Sequence, residues 1–190
     1  MKDIYEKIWA LAYEYQDKRN DGGHAEVALN FAQRLIVMED GNEDVVIPAI
    51  ILHDIGWSQL TEKDRLLIFD KNAAKEDRQR VVMLHQENSV DLARSILNKV
   101  SYPPEMIEEI LEIISQHDSR EGFISNNEGL VRDADKLWRV SKGGVAADVR
   151  RSNDKKRFQE IIDATDRKNY FYSESAKQIA RAEIADRRKE

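Results

Sequence analysis

The sequence predicts an all-α protein, a single-domain helical bundle that extends over residues 1–190, and three observations support this. Only 8 Gly and 3 Pro occur in the 190 residues, so the tight turns that a β-sandwich or a barrel requires are scarce. Apolar residues make up 41% of the chain, which is enough for one buried core. They recur mostly three or four positions apart, the period of a helix with one buried face.

Three helices are predicted in the first part of the chain. The first extends over residues 3–18 and is amphipathic, and the second begins at His24, directly after a glycine-rich break. The third, residues 45–56, is apolar on every side and is expected at the centre of the core. In this third helix Pro48 stands early, where helices tolerate proline, and Gly56 is the expected C-terminal cap.

The middle of the chain predicts a surface segment and three more helices. Residues 57–80 carry many charges and show weak periodicity, which indicates a surface excursion. Amphipathic helices are predicted for residues 78–100 and 103–117, and a further helix for residues 129–142. The pair Gly143–Gly144 is expected to end that helix.

The remaining residues, 145–190, predict a C-terminal helical cap with two helical stretches, around Ile161 and around Ile179. Between the core and these stretches lies a charged run, residues 148–157, which is basic on balance. We interpret it as a solvated loop, and contact with a nucleotide phosphate is the alternative.

Composition excludes several classes of function. The formal net charge of -6 makes a nucleic-acid partner unfavourable, because phosphates would be repelled. No cysteine is present, so thiolate catalysis, iron–sulfur clusters and Cys-type zinc sites are excluded, and any metal must be held by His and carboxylates. The charged N-terminus and the lack of a long apolar run predict a cytoplasmic protein without a membrane span.

The four histidines are the main functional signal. His24, His53, His85 and His117 follow one another at intervals of about thirty residues, each at an end or on the inward face of a different predicted helix. Helices of a bundle can deliver one ligand each to a shared metal centre, and imidazole with carboxylate suits Mn, Fe, Zn, Co or Ni. A catalytic zinc normally takes three protein ligands, so the larger number of candidates here favours two ions, with Asp54 as a bridge.

Read in order, these residues form the series His, His-Asp, His, His, Asp, which resembles the HD-domain superfamily over about residues 20–142. The supporting local sequences are Leu52-His53-Asp54-Ile55-Gly56, His85-Gln86-Glu87-Asn88-Ser89 and Ala134-Asp135-Lys136-Leu137. The resemblance implies an all-α core that binds one or two divalent ions, Mg included, and most often hydrolyses a phosphate ester. It implies six metal ligands: His24, His53, Asp54, His85, His117 and Asp135. His85 and His117 resemble the dinuclear members, which include an oxygenase branch.

Three assignments allow more than one interpretation. A helical wheel favours Asp133 as the last ligand, whereas the family sequence Ala-Asp-x-Leu favours Asp135, and we choose Asp135. Asp118 is interpreted as a solvated carboxylate at a helix end, with an auxiliary role beside the metal as the alternative. Trp57 is interpreted as a core aromatic, with a place in the substrate pocket as the alternative. Trp57 also stands where cyclic-dinucleotide phosphodiesterases of the superfamily usually have Lys, which argues against that substrate.

The predicted function is therefore a metal-dependent phosphohydrolase. It would cleave a small phosphorylated substrate, such as a nucleotide, by attack of a metal-activated hydroxide, with catalytic roles for Asp54, His85, His117 and Lys136. Basic side chains that neutralise the phosphate are expected among Lys136, Arg139 and Lys142. The alternatives are a di-iron oxygenase with the same ligands and a non-enzymatic ligand-sensing module with a structural metal. The oligomeric state stays open, with a homodimer as one option.

Overall fold

The structure, a computed structural model, describes residues 1–19, 21, 23–70, 72–152 and 156–189. These residues contain ten α-helices and no β-strand, which confirms the all-α prediction. The helices are α1 Asp3–Ala12, α2 His24–Glu39, α3 Glu43–Leu52, α4 Glu62–Leu67, α5 Lys75–Lys99, α6 Pro104–Gln116, α7 Asn126–Trp138, α8 Lys142–Ser152, α9 Arg157–Thr165 and α10 Glu174–Arg187. None of the described helices is both long and apolar enough to cross a bilayer.

The apolar helix α3 lies at the centre of the core, as the sequence predicts. All of its residues from Val45 to Leu52 are buried, and it packs against α1, α2, α6 and α7. We had predicted that Pro48 stands early in this helix. The helix begins at Glu43, before the predicted start, so Pro48 lies in its second turn. The missing N–H of Pro48 leaves the carbonyl of Asp44 without its helical donor. The hydroxyl of Tyr102 donates a hydrogen bond of 2.7 Å to that carbonyl instead.

The first helix is shorter than predicted. It ends at Ala12 and is followed by a 3-10 turn, Tyr13–Tyr15, after which Gln16 is extended. The side-chain amide of Gln16 donates a hydrogen bond of 2.6 Å to the carbonyl of Ile51 near the end of α3. This bond draws the chain toward the end of α3, and so brings Arg19 to the same place.

Gly56 does not cap α3, contrary to the prediction. The helix ends at Leu52, and Gly56 belongs to a separate 3-10 helix, Ile55–Gln59. A Cβ atom at Gly56 would lie 2.0 Å from the carbonyl oxygen of His85, so glycine is required because this turn packs directly on the backbone of α5. The glycine N–H also donates to the hydroxyl of Ser89 at 2.8 Å.

The segment 57–80 is only partly the surface excursion that we predicted. It contains α4 and the start of α5, but Trp57 is buried and packs in a small apolar cluster with Leu60 and Val81. The long helix α5 therefore begins before the charged segment ends. The charges lie on its exposed first turns.

The Gly143–Gly144 pair begins a helix where we had predicted that it would end one. The helix α7 ends at Trp138, and both glycines lie in the first turn of α8. The N–H of Gly144 donates to the hydroxyl of Ser141 at 3.1 Å, and a Cβ at Gly144 would lie 1.9 Å from the carbonyl oxygen of Trp138. The turn between the helices is thus too tight for a side chain at this position.

The helix α8 also corrects the interpretation of the charged run 148–157 as a solvated loop. Residues up to Ser152 are helical, and Asp148 is buried. Residues 153–155 of the run lie outside the described residues. The side chain of Arg151 forms an ion pair with Asp21, just before α2, so α8 is held against the loop that carries Arg19.

The C-terminal segment is attached through Asp133 of α7. Its carboxylate accepts hydrogen bonds from the N–H of Tyr172 at 2.7 Å and from the N–H and hydroxyl of Ser173, each at 2.8 Å. Ser173 in turn caps α10 by accepting from the N–H of Ala176 at 3.1 Å. Helix α10 then packs on α2 and α7.

Candidate metal centre

The four histidines converge from four helices and form two pairs. His24 is the first residue of α2, His53 and His117 directly follow α3 and α6, and His85 lies within α5. All four side chains are buried. The Nε2 atoms of His24 and His53 are 3.1 Å apart, and those of His85 and His117 are 3.3 Å apart. The backbone of Gly23, at a positive φ of 76°, makes the turn that brings His24 into the centre.

Asp54 lies between the two histidine pairs. Its Oδ2 atom is 3.7 Å from Nε2 of both His24 and His53. Its Oδ1 atom is 3.5 Å from Nε2 of His85 and 3.4 Å from Nε2 of His117. Each oxygen therefore faces a different pair, which is the arrangement that a carboxylate bridging two ions requires.

Asp135 lies beside the first pair. Its Oδ1 atom is 3.2 Å from Nε2 of His24 and 3.6 Å from Nε2 of His53. Asp133 lies on the buried face of α7, as the helical wheel indicated, but its carboxylate accepts the three hydrogen bonds from the segment before α10. The structure thus brings Asp135, and not Asp133, to the histidines.

Asp118 lies beside the second pair, a place that our preferred interpretation of this residue did not predict and its alternative did. Its Oδ2 atom is 3.6 Å from Nε2 of His85 and 3.7 Å from Nε2 of His117. The interpretation of Asp118 as a solvated carboxylate at a helix end therefore holds in part, because 36% of its side chain is exposed while one oxygen faces the histidines. The sequence contained a signal for this position. The dipeptide His117-Asp118 directly follows α6, just as His53-Asp54 directly follows α3.

The chemistry of the donors fits two divalent ions. Nδ1 of His53 lies 2.8 Å from the carbonyl of Ile50, and Nδ1 of His117 lies 2.8 Å from the carbonyl of Ile114. A carbonyl only accepts, so Nδ1 carries a proton, and when the ring is neutral its Nε2 lone pair points into the centre. Ligand atoms about 2.1 Å from one ion lie roughly 3.0–3.4 Å apart in octahedral or tetrahedral arrangements. The donor separations in each half of the centre, 3.1–3.7 Å, are close to this range.

Burial and the nearby carboxylates shift the pKa values of the imidazoles in opposite directions. Burial lowers the pKa of His117, but the negative charges of Asp118 and Asp54 outweigh it and raise that pKa to about 9. Burial dominates for His24 and His85, and it lowers both of their pKa values. Without ions, part of the carboxylate charge is therefore balanced by a protonated imidazole.

Arg19 is a residue that sequence reasoning missed. Its Nη2 atom donates a hydrogen bond of 2.7 Å to Oδ2 of Asp54, and its Nε atom donates to Asp21 at 3.1 Å. Burial raises the pKa of Asp54, but the positive charges of Arg19 and His53 bring it well below the ordinary value. Arg19 lies in an irregular segment before α2, so no periodicity pointed to it.

Trp57 is both a buried aromatic residue and part of the centre. Its ring stacks on His85 with centroids 4.1 Å apart, and the guanidinium of Arg19 lies 4.4 Å above it. Its Nε1 atom donates to Oδ1 of Asp54 at 3.1 Å. The interpretation of Trp57 as a buried aromatic is confirmed, and the same side chain also lines the cavity beside the histidines.

A cavity of about 320 Å³ opens beside the centre, and we call it the metal-site cavity. Its lining includes the carboxylates Asp54, Asp118 and Asp135 and the cationic side chains Arg19 and Arg139. Two of the three predicted phosphate ligands lie elsewhere. Lys136 lines a neighbouring cavity, where its Nζ donates to the carbonyl of Tyr170 at 2.6 Å, and Lys142 is exposed on the first turn of α8.

Comparison with known proteins identifies the family and the fold. The model of the HD domain family matches residues 21–139, more than half of the chain. A crystal structure described as a predicted HD superfamily hydrolase, from an uncultured Thermotogales bacterium, has a TM-score of 0.60 and 16% sequence identity, covering 100% of this chain and 87% of that one. At this identity the likeness shows the fold alone. No match was found among curated proteins. The match over residues 21–139 shows that the chain belongs to the HD domain family.

Proposed function

We propose that the protein is a metal-dependent phosphohydrolase that acts on a small phosphorylated substrate. The observation that carries the proposal is the position of Asp54, whose two oxygens face two separate histidine pairs. Arginine side chains line the same cavity, and guanidinium groups are suited to phosphate oxygens.

In this proposal His24, His53 and Asp135 would hold one ion, and His85, His117 and Asp118 would hold the other. Asp54, which faces both histidine pairs, would contribute to both sites. A pair of divalent ions supplies Lewis acidity toward a phosphoryl oxygen and lowers the pKa of a water molecule to near neutrality. Four imidazole ligands favour Mn, Fe, Co, Ni or Zn over Mg, which prefers oxygen ligands.

The side chains around the ions would orient and stabilise the reacting phosphate. Arg19 is fixed by Asp21 and by its stacking on Trp57, so little entropy is lost when its guanidinium also meets an anion. Arg139 lines the same cavity and would neutralise charge that develops on the phosphoryl oxygens. In this account Arg19 and Arg139 contact the reacting phosphate, whereas Lys136 contributes positive charge from the neighbouring cavity.

The test is a hydrolysis screen with defined metal content. The protein is stripped by a chelator, loaded separately with Mn²⁺, Fe²⁺, Co²⁺, Ni²⁺, Zn²⁺ or Mg²⁺, and assayed for phosphate release from phosphomonoesters, nucleotides and diesters. We expect turnover with at least one transition metal, and a loss of at least about a hundredfold in Asp54→Asn. Asp91→Asn, on the exposed side of α5, is the matched control and should keep full activity.

Two results would contradict the proposal. One is a folded, metal-loaded protein that releases phosphate from none of these compounds. The other is oxygen consumption by the iron-loaded protein without hydrolysis, which would favour the oxygenase alternative, because hydrolysis needs no oxygen.

A further inference from the structure

A second cavity, of about 450 Å³, adjoins the metal-site cavity. The two share Asp118, Asp135, Asp148, Arg139 and Arg157 in their linings. The second cavity then continues along one face of α9, and we call it the α9 cavity. The α9 residues on this face have helical spacing: Arg157, Glu160, Ile161 and Ala164. At 1.5 Å per residue, the face from Arg157 to Ala164 is about 10 Å long.

Most charges at the near end of the α9 cavity already have partners. Arg157 donates to Glu160 at 2.8 Å and lies 3.6 Å from Asp148. Asp118 and Asp135 face the histidine pairs, so in the proposed function their charge belongs to the ions. The cationic side chains that remain in the lining are Lys136, Arg139 and Arg167.

Three further donors line the α9 cavity. The guanidinium groups of Arg139 and Arg167 and the hydroxyl of Tyr170 line the α9 cavity, and within the described residues no side-chain hydrogen bond or ion pair is found for any of them. Tyr170 is held in position because its carbonyl accepts from Lys136 at 2.6 Å and the Lys136 ammonium lies 5.2 Å from the centre of its ring.

Charges of both signs act on the phenol of Tyr170. Burial raises its pKa, the negative charges of Asp135 and Asp148 add to that rise, and the positive charges of Arg139 and Arg167 oppose it. The hydroxyl is therefore protonated near neutral pH and available as a donor. An anion bound in this part of the α9 cavity would be attracted by both guanidinium groups.

We propose that Arg139, Arg167 and Tyr170 bind a second phosphate group of the substrate. The substrate would then be an organic bisphosphate, with one phosphate at the metal centre and the other in the α9 cavity. Two arginines and a hydroxyl provide the forked donors that a dianionic phosphate accepts. Arg139 lines both cavities, so it would contact the reacting phosphate and the second phosphate. The length of the α9 face leaves room for a spacer such as a sugar between them. This inference rests on the proposed function, which supplies the first phosphate site.

The experiment compares probes that differ by one phosphate. Fructose 1,6-bisphosphate is paired with fructose 6-phosphate, and adenosine 3′,5′-bisphosphate with adenosine 5′-monophosphate. Binding to the Mn²⁺-loaded protein is measured by isothermal titration calorimetry, and phosphate release is followed in the same samples. We expect at least one bisphosphate to bind about tenfold or more tightly than its partner, which corresponds to a few charge-assisted hydrogen bonds.

Variants show whether the α9 cavity causes this preference. Arg167→Ala and Tyr170→Phe should remove most of the preference and leave monophosphate binding within about twofold. Lys168→Ala removes the adjacent exposed charge, which does not line the α9 cavity, and should leave the preference unchanged. Equal binding within both wild-type pairs would overturn the inference. An equal loss for both members of a pair in Arg167→Ala, or a Lys168→Ala variant that behaves like Arg167→Ala, would do so too.

The binding ratio and the hydrolysis screen can fail separately. A preference that depends on Arg167, in a protein that hydrolyses none of the compounds, would retain the anion site and reject the proposed function. Hydrolysis without any preference for bisphosphates would support the proposed function and reject the second phosphate site.

Discussion

The Nη2 atom of Arg19 donates a 2.7 Å hydrogen bond to Oδ2 of Asp54, the oxygen that faces His24 and His53. Both side chains are only 12% exposed, so each charge depends on the other for compensation in the metal-free protein. Ions at the centre would take over that compensation for Asp54. The ion pair therefore links the stability of the fold to metal content.

Arg19→Gln should lower the stability of the metal-free protein by about 1–3 kcal/mol, because Asp54 loses its nearest cation while the site keeps some contact with solvent. Metal loading should shrink this difference. Thermal unfolding of both forms measures it, with Arg94→Gln as the control, since Arg94 pairs with Glu108 on the exposed surface. An equal loss of stability with and without metal would contradict the linkage.

Asp118→Asn should weaken one of two metal-binding events by at least about tenfold and leave the other intact. Asp135→Asn should weaken the other event by a similar factor, because the two carboxylates lie beside different histidine pairs. Calorimetric titration of Mn²⁺ into the metal-free variants resolves the two events, and Asp91→Asn should retain both. If Asp118→Asn binds metal like the wild type, the Asp118 carboxylate is solvated and does not hold an ion.

Asp133→Asn should reduce stability and leave metal stoichiometry unchanged. The amide puts an NH₂ group where one carboxylate oxygen now accepts a hydrogen bond, at a cost of about 1–3 kcal/mol. Urea unfolding and metal analysis of the same samples measure both quantities. A normal unfolding curve with a lost ion would make Asp133 the ligand in place of Asp135.

Metal binding should release protons at pH 7. In the metal-free protein Asp118 and Asp54 raise the pKa of His117 to about 9 against the effect of burial, so the ring must lose a proton before Nε2 can bind an ion. Metal affinity should therefore rise with pH until about pH 9. Titrations in two buffers of different ionisation enthalpy detect the released proton, and identical apparent enthalpies in both would contradict this prediction.

The raised pKa of His117 also predicts how the stability of the metal-free protein depends on pH. A folded pKa above the unfolded value of 6.5 stabilises the fold fully below pH 6.5, and this contribution is lost as the pH rises through about 9. The melting temperature of the metal-free protein should fall over that interval. His117→Gln should flatten the fall, and a profile identical to that of the wild type would show that another group causes it.

Periodicity predicts much of the fold and half of the centre. Helical spacing places His85 and His117 on the buried faces of their helices, and the glycine break predicts that a helix begins at His24. The central position of α3 follows equally from its apolar surface.

Residues whose orientation depends on tertiary packing could not be predicted in this way. Asp118 and Arg19 lie outside regular helices, where direction is set by the neighbouring chain and not by a period. Gly144 shows the same limit, because the close approach of Trp138 that requires glycine exists only in the folded chain. Asp133 and Asp135 share one helix, and only the segment before α10 distinguishes their roles.

The most direct test of the central claim is anomalous diffraction from crystals of the Mn²⁺-loaded protein. Two peaks are expected, one beside His24 and His53 and one beside His85 and His117, each in contact with a different oxygen of Asp54. A single peak, or two peaks that both leave Asp54 unbound, would contradict the bridged metal centre.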